Sequence, residues 1–209
     1  MFDHESTSTL SFKDDFTKTL VEDSHAFRLY NVTNHDQYGN INYAECLVPS
    51  KVMSAQMNGG DGYLLYRINA TDGNAIRDLK ISTYLQYTRW GNYYWYRADG
   101  KLGANVYIEY SYDNRNYYRV YDMNLDNADE NGVGWIVTHN VGEVDCKLNP
   151  TVDLSAYAHG KTEIYIRVYI QHLTGEELNI PAWNGTIEPW YFAVNIYDIG
   201  VNANFMKQE

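Results

Sequence analysis

The fold follows from stretches of regular alternation, of which the clearest is Glu163-Ile-Tyr-Ile-Arg-Val-Tyr-Ile170. Every second residue is aliphatic, and the residues between them are charged or are tyrosines with a polar tip. This two-residue period is typical of a β-strand that places one face in a core and the other towards solvent. The stretch therefore predicts a half-buried strand of an antiparallel sheet.

The same alternation recurs along the chain, over Tyr63–Ile68, Leu79–Tyr87, Asn105–Ser111, Tyr117–Tyr121, Trp135–Thr138 and Tyr191–Ile199. Turn-forming residues separate these stretches, and the turn at Asp113-Asn114 predicts a hairpin between two tyrosine-rich strands. No window carries a helical stripe over three turns, and only Asp153–Ala158 predicts a short helical turn. Many short strands without intervening helices indicate an all-β fold, an antiparallel β-sandwich or jelly roll.

The length, composition and charge of the chain limit the number of domains and the kinds of partner that it can bind. We expect residues 1–209 to form a single domain, with residues 1–10 as a flexible N-terminal segment, because no linker or repeat interrupts the pattern. The net charge of −11 argues against nucleic acid or an anionic membrane as a partner. No apolar run is long enough to span a membrane, and the first ten residues show no signal peptide.

Four segments resemble, in order, the galactose-binding-like β-sandwich modules that are appended to bacterial polysaccharide-degrading enzymes. They are Phe12-Lys-Asp-Asp-Phe16, Val106-Tyr-Ile-Glu-Tyr-Ser-Tyr-Asp-Asn114, the stretch from Asp153-Leu-Ser155 through Gly160-Lys-Thr-Glu-Ile-Tyr-Ile-Arg167, and Asn195-Ile-Tyr-Asp-Ile-Gly-Val201. Asn114 stands where these modules usually have glycine, an exchange that a left-handed turn position tolerates.

The resemblance implies a galactose-binding-domain-like fold and a non-catalytic module that binds a polysaccharide or other glycan. It also implies an extracellular or cell-surface location and attachment to a larger enzyme. Related sandwiches hold a structural calcium ion between the N-terminal acidic segment and the last strand. By that resemblance Asp14 or Asp15, together with Asp198, would supply carboxylates to the ion; no cofactor is otherwise required.

The most unusual stretch is Arg89-Trp-Gly-Asn-Tyr-Tyr-Trp-Tyr-Arg97, in which five of nine residues are aromatic. Sugar rings pack their C–H groups on indole and phenol faces, while Arg and Asn side chains bind the hydroxyls. A second aromatic, Trp183, lies among turn-forming residues. The predicted carbohydrate-binding residues are Arg89, Trp90, Asn92, Tyr94, Trp95, Arg97 and Trp183. The alternative is a hairpin whose rings belong to the core.

Two other function classes stay open. One is a jelly-roll polysaccharide lyase or glycoside hydrolase. Gln171 and His172 are adjacent on a strand, so their side chains would point to opposite faces of the sheet and could not act together in one cleft. No known catalytic motif occurs in the sequence. Glu163 and Arg167 lie on one strand face, where an ion pair would be ordinary. The other class is a surface adhesion or protein-interaction domain with exposed aromatic anchors.

The two cysteines, Cys46 and Cys146, are one hundred positions apart without metal-binding spacing, and either a disulfide or two free thiols fits them.

Overall fold

The computed structural model describes residues 8–15, 25–30, 32–35, 46–49, 61–89, 104–122, 135–137, 144–172 and 192–208. Within these ranges the elements are β1 (Thr9–Asp15), β2 (Arg28–Tyr30), β3 (Val32–His35), β4 (Cys46–Pro49), β5 (Gly62–Asn69), β6 (Asn74–Arg89), β7 (Ala104–Ser111), β8 (Tyr118–Asp122), β9 (Trp135–Val137), β10 (Val144–Leu148), β11 (Thr151–Asp153), α1 (Ser155–Ala158), β12 (Glu163–His172) and β13 (Phe192–Lys207).

The strands form two antiparallel sheets, as the alternation predicts. The five-stranded sheet has the order β2-β5-β12-β7-β8. The eight-stranded sheet has the path β3-β4-β13-β6-β10-β9, with β1 paired to β13 and β11 paired to β6. All pairings between described strands are antiparallel, so the all-β sandwich fold is confirmed.

The core consists of the aliphatic half of each alternating strand. From the five-stranded sheet it takes Leu64, Ile68, Val106, Ile108, Ile164, Ile166, Val168 and Ile170, and from the eight-stranded sheet Leu79, Ile81, Leu85, Ile199, Val201, Ala203 and Phe205. One polar tie crosses between the sheets, because the hydroxyl of the buried Tyr66 donates a hydrogen bond of 3.0 Å to the buried Asp14 carboxylate. Burial and the neighbouring Asp14 both raise the pKa of Tyr66.

Strands β6 and β13 are longer than predicted, with 16 residues each. The alternation predicted for this last strand ended at Ile199, whereas β13 continues through Gly200 to Lys207. In the structure Gly200 lies opposite Ser82, where an added Cβ would come within 2.6 Å of the serine Oγ. The close approach of the two strands therefore leaves no room for a side chain at position 200, and the strand continues through the glycine.

The turns follow the predicted chemistry. Asp72 and Gly73 have φ of 58° and 73°, and the Asn74 amide donates to the Thr71 carbonyl at 3.0 Å, which defines a type I′ turn. Asn114 has φ of 57°, so the predicted left-handed turn position is confirmed.

The hairpin between β7 and β8 is confirmed, as is the short helical turn at α1. Within the described ranges no helix has the length and apolarity to cross a membrane.

The strand pairing bears on the expected N-terminal segment and on the two cysteines. Residues 1–10 were expected to form a flexible segment, and the structure describes residues 8–10 of it. Thr9 and Leu10 belong to β1 and pair with β13. The cysteines lie on β4 and β10, and strands β13 and β6 stand between them. Three inter-strand spacings separate them by about 14 Å, which exceeds the reach of a disulfide.

Candidate functional site

The outward face of the five-stranded sheet carries a row of tyrosines. Register places Tyr30, Tyr63, Tyr169 and Tyr107 side by side on β2, β5, β12 and β7. Residues directly opposite on neighbouring strands share a face of the sheet. With strands about 4.8 Å apart, the row is about 14 Å long. We call this row, with the charged row beside it, the tyrosine–arginine face.

The rings of the row lie in nearly parallel pairs. Tyr30 and Tyr63 stack with ring centroids 5.2 Å apart, and Tyr107 and Tyr169 with centroids 6.3 Å apart, each pair at 20°. Tyr30 is 55% exposed, and Tyr63 and Tyr169 are half-buried. Tyr107 is buried, since the Arg119 guanidinium lies 3.2 Å from its ring centroid. Three rings of the row therefore remain accessible to a ligand.

The second row consists of Arg167, Glu109 and Arg119 on neighbouring strands. The Nε and Nη2 atoms of Arg167 donate to Glu109 Oε2 at 2.8 and 2.5 Å, and Arg119 Nε lies 3.9 Å from Glu109 Oε1. Glu109 is buried at 6% exposure although it is on the outward face. This ion pair is therefore largely shielded from water, unlike an ordinary exposed ion pair on a protein surface.

Arg167 also joins the two rows. Its guanidinium carbon lies 3.7 Å from the ring centroid of Tyr117, 4.6 Å from that of Tyr169 and 5.6 Å from that of Tyr63. Cations at such distances are attracted to the ring faces. The arginine is thus held by a carboxylate and by three rings, which restricts the positions of the rings as well.

Glu163 and Arg167, which share a strand face, do not form an ion pair with each other. Residues four apart on one strand are about 13 Å apart, too far for contact. Each side chain pairs across strands instead, Arg167 with Glu109 and Glu163 with Arg67, whose Nε donates to Glu163 Oε2 at 2.5 Å.

The polar tips of the row are hydrogen-bonded. The Tyr107 hydroxyl donates to Gln171 Oε1 at 3.0 Å, and the Tyr169 hydroxyl donates to Asp61 Oδ2. Burial, and then the hydrogen bond to Asp61, raise the pKa of Tyr169, and burial raises that of Tyr117 although Arg167 opposes it. Both phenols are therefore neutral near pH 7 and act as hydrogen-bonding groups rather than as bases.

The formal charges of the face balance. In the part of the chain that the structure describes, its side chains include the cations Arg28, Arg67, Arg119 and Arg167 and the anions Asp61, Glu109, Asp122 and Glu163. A balanced, aromatic surface suits a neutral ligand that offers both C–H faces and hydroxyl groups. It does not provide the excess positive charge that a phosphate backbone requires.

The predicted loop residues are placed only by their flanks. Arg89 ends β6, and the structure describes its backbone alone; Trp90, Asn92, Tyr94, Trp95, Arg97 and Trp183 lie outside the described residues. The flanks of the two segments meet, because Arg89 pairs with Phe192 and Ala104 pairs with His172. The residues that flank segments 90–103 and 173–191 therefore lie at one end of the sandwich. The tyrosine row is only a few residues from that end.

The predicted calcium ligands are divided between two sides of the eight-stranded sheet. Asp14 points inwards and accepts hydrogen bonds from the His25 amide at 2.9 Å and from Tyr66. Asp198 lies on the outward side, 2.8 Å from Lys13 Nζ. Asp14 and Asp198 consequently do not face one ion.

Asp15 lies directly opposite Asp198, and only its backbone is described. The described residues contain no cluster of three or more His, Cys, Asp or Glu side chains able to hold a metal.

Reasoning from sequence missed the tyrosine–arginine face because it assigned the strand tyrosines to the sheet alone. The available pattern was an outward tyrosine two residues from an outward charge, as in Tyr107-x-Glu109 and Arg167-x-Tyr169. Most outward strand positions tolerate Thr, Ser or Lys, so repeated tyrosine there is informative. Only the register showed that these pairs form continuous rows.

Comparison with known proteins gives a match among solved structures but none by sequence. No protein-family profile matches the sequence, and no curated protein is similar to it. Among solved structures, the chain is similar to TmCBM61, whose structure was determined in complex with β-1,4-galactotriose. The match has 11% sequence identity and a TM-score of 0.37, and it covers 90% of this chain and 97% of that one. The two-sheet antiparallel β-sandwich is established by the strand pairing of the chain itself.

Proposed function

We propose that this protein is a non-catalytic carbohydrate-binding module that holds a neutral glycan against the tyrosine–arginine face. The observation that carries the proposal is the in-register row of Tyr30, Tyr63 and Tyr169, three accessible rings beside a charge-balanced row of side chains. Pyranose rings would pack on the phenol faces, and Arg167 and Gln171 would contact hydroxyl groups. Shallow contacts of this kind give dissociation constants of roughly micromolar to millimolar.

Binding is favoured over catalysis by the state of the polar groups on the face. Glu109 is engaged by two arginines, and the raised pKa values of Tyr169 and Tyr117 make these phenols poor bases near pH 7. A general acid or base needs a proton that it can exchange near the working pH. These groups instead support hydrogen bonding.

Stacked rings with arginines would also suit single-stranded nucleic acid. The charge of −11 over the whole chain and the balanced charges of the face oppose that ligand. A neutral sugar carries no charge, so neither the negative charge of the chain nor the balanced charge of the face opposes its binding.

The predicted loop residues belong to the same proposal. Segments 90–103 and 173–191 start at the end of the sandwich nearest the tyrosine row, so Trp90 and Trp183 would extend the surface for a longer glycan. The resemblance to galactose-binding-like modules supports an extracellular or cell-surface setting, attachment to a polysaccharide-degrading enzyme, and a structural calcium ion near Asp15 and Asp198.

A glycan array combined with a reducing-end assay on the hits tests the proposal. We expect binding to neutral oligosaccharides without release of reducing or unsaturated ends. Release of such ends would show an enzyme, and binding confined to acidic glycans would contradict the neutral face. Among the variants, Tyr169→Ala tests the face, and Trp90→Ala and Trp183→Ala test the loops. Binding unchanged in the two tryptophan variants would exclude the loop assignment and leave the face.

A further inference from the structure

A second group of tyrosines lies at the opposite end of the sandwich, around the β7–β8 hairpin. The ring of Tyr110 contacts those of Tyr112, Tyr118 and Tyr157, with centroid distances of 5.2, 5.4 and 4.7 Å. The Tyr110 and Tyr157 rings are stacked at 27°. We call these four residues the hairpin cluster.

The hairpin cluster is both exposed and held in place. Five large apolar side chains are exposed in the described residues, and three of them are Tyr112, Tyr118 and Tyr157, at 43%, 53% and 39%. The Tyr112 hydroxyl donates to the Tyr157 carbonyl at 2.9 Å, which ties the hairpin to α1. The Lys161 ammonium lies 4.8 Å from the Tyr112 ring centroid and adds a donor at the rim.

The hairpin cluster is separate from the tyrosine–arginine face. Tyr110 pairs with Ile166 and Tyr118, on the inward side of the five-stranded sheet, whereas Tyr107 is on its outward side. Along β7 and into the turn, Tyr112 is five residues beyond Tyr107, or about 17 Å. A small ligand on one surface therefore does not reach the other.

The hairpin turn itself is rigidified by Asp113. Its Oδ1 atom accepts hydrogen bonds from the amides of Arg115 at 2.9 Å and Asn116 at 2.8 Å, and Tyr117 donates to Asn114 at 2.6 Å. A preorganised surface loses little conformational entropy when it binds a ligand. The exposed rings are thus presented in one arrangement.

We propose that the hairpin cluster is a second contact site for a neutral glycan, an inference that rests on the proposed carbohydrate-binding function. Three tyrosine rings at about half exposure offer roughly 300 Å². A stable protein interface needs roughly 800 Å² from each partner, so the area fits one or two sugar rings better than a second protein. The hydroxyls and Lys161 supply the polar contacts that a sugar needs.

The test is a titration of the isotopically labelled full chain, followed by NMR, with four neutral trisaccharides: β-1,4-galactotriose, cellotriose, maltotriose and mannotriose. We expect two sets of shifted amide signals, one near Tyr63 and Tyr169 and one near Tyr110, Tyr112 and residues 155–157, with different saturation curves. Tyr118→Ala should weaken the second set at least tenfold and leave the first unchanged. Tyr157→Phe, which keeps the stacked ring, should weaken it less than Tyr118→Ala.

The outcomes separate the two proposals. Shifts confined to the tyrosine–arginine face would overturn the hairpin site and leave the proposed function, whereas shifts at neither set would overturn both. Second-set shifts that persist in Tyr118→Ala, or that arise from protein concentration without sugar, would assign the hairpin cluster to structure or to self-association. Tyr84→Ala, on the opposite sheet, is the matched control and should change neither set.

Discussion

The two outward faces of the sandwich share the same two-residue period but carry different chemistry. On the eight-stranded sheet, Thr9 contacts Asn204 at 3.0 Å and Ser11 contacts Asn202 at 2.6 Å, in exposed hydrogen bonds. Lys80 and Asp153 form an exposed ion pair at 3.6 Å. We call the described part of this face, many of whose polar side chains are exposed, the wall. The tyrosine–arginine face, in contrast, buries Tyr107, Glu109 and Leu65 on its outward side.

The comparison shows that buried charged and aromatic side chains on an outward face distinguish the tyrosine–arginine face from the wall. A charged pair is removed from water only where neighbouring side chains surround it, and such an arrangement costs free energy that a wall does not incur. Among the described side chains, the ion pair with a buried carboxylate lies on the tyrosine–arginine face, and its energetic cost supports a role for that face. Four changes can break or sharpen this contrast.

The largest effect is expected from Glu109→Ala. It leaves Arg167, whose side chain is only 20% exposed, without its carboxylate, and should lower the free energy of unfolding by about 2–4 kcal/mol. Urea unfolding measures this value. Lys80→Ala, which breaks the exposed pair on the wall, should cost less than about 1 kcal/mol. Equal losses in the two variants would erase the contrast between the faces.

The next effect concerns binding. Tyr63→Ala removes an accessible ring from the row and should weaken the affinity for the neutral oligosaccharide selected on the array about tenfold, or about 1.4 kcal/mol. Isothermal titration calorimetry measures the change. Tyr84→Ala removes a half-buried ring from the wall and should leave the affinity unaltered. A comparable loss from Tyr84→Ala would place the glycan elsewhere.

A smaller effect is expected from pH at the hairpin that links β7 to β8. The amides of Asn116 and Arg115 hold the pKa of Asp113 well below its usual range. A carboxylate with a lowered folded-state pKa stabilises the fold above its unfolded-state pKa, and this contribution is lost as pH falls towards the folded-state value.

Stability should therefore decline as pH falls below about 4, and less steeply in Asp113→Asn. Urea unfolding at pH 6 and pH 2.5 compares the two proteins. A parallel decline in both would show that Asp113 does not stabilise the hairpin.

The smallest effect is expected from Asn202→Ala on the wall. The Ser11–Asn202 hydrogen bond is exposed to water, so its loss should change the free energy of unfolding by less than about 0.5 kcal/mol. Glycan affinity should be the same as for the unaltered protein. A loss of binding in this variant would move the proposed site to the wall.

Much of the fold could be predicted because its determinants are local. Alternation located the strands β5, β7, β8, β9 and β12, and turn chemistry located the hairpin and the left-handed Asn114. The full length of β13 could not be predicted from alternation, because the close approach of Gly200 to Ser82 depends on which strand lies beside it. The partners of Arg167 and Glu163 were likewise undetermined, since side chains on one strand do not state which strand lies beside them.

The sequence by itself determined which residues face inwards, because a two-residue period and the burial of aliphatic side chains are properties of each strand alone. The tertiary structure decided which outward residues meet. Register across β2, β5, β12 and β7 aligned tyrosines that are up to 139 positions apart into one row and enclosed Glu109 between two arginines. That step depends on strand pairing over long separations, and no local pattern encodes it.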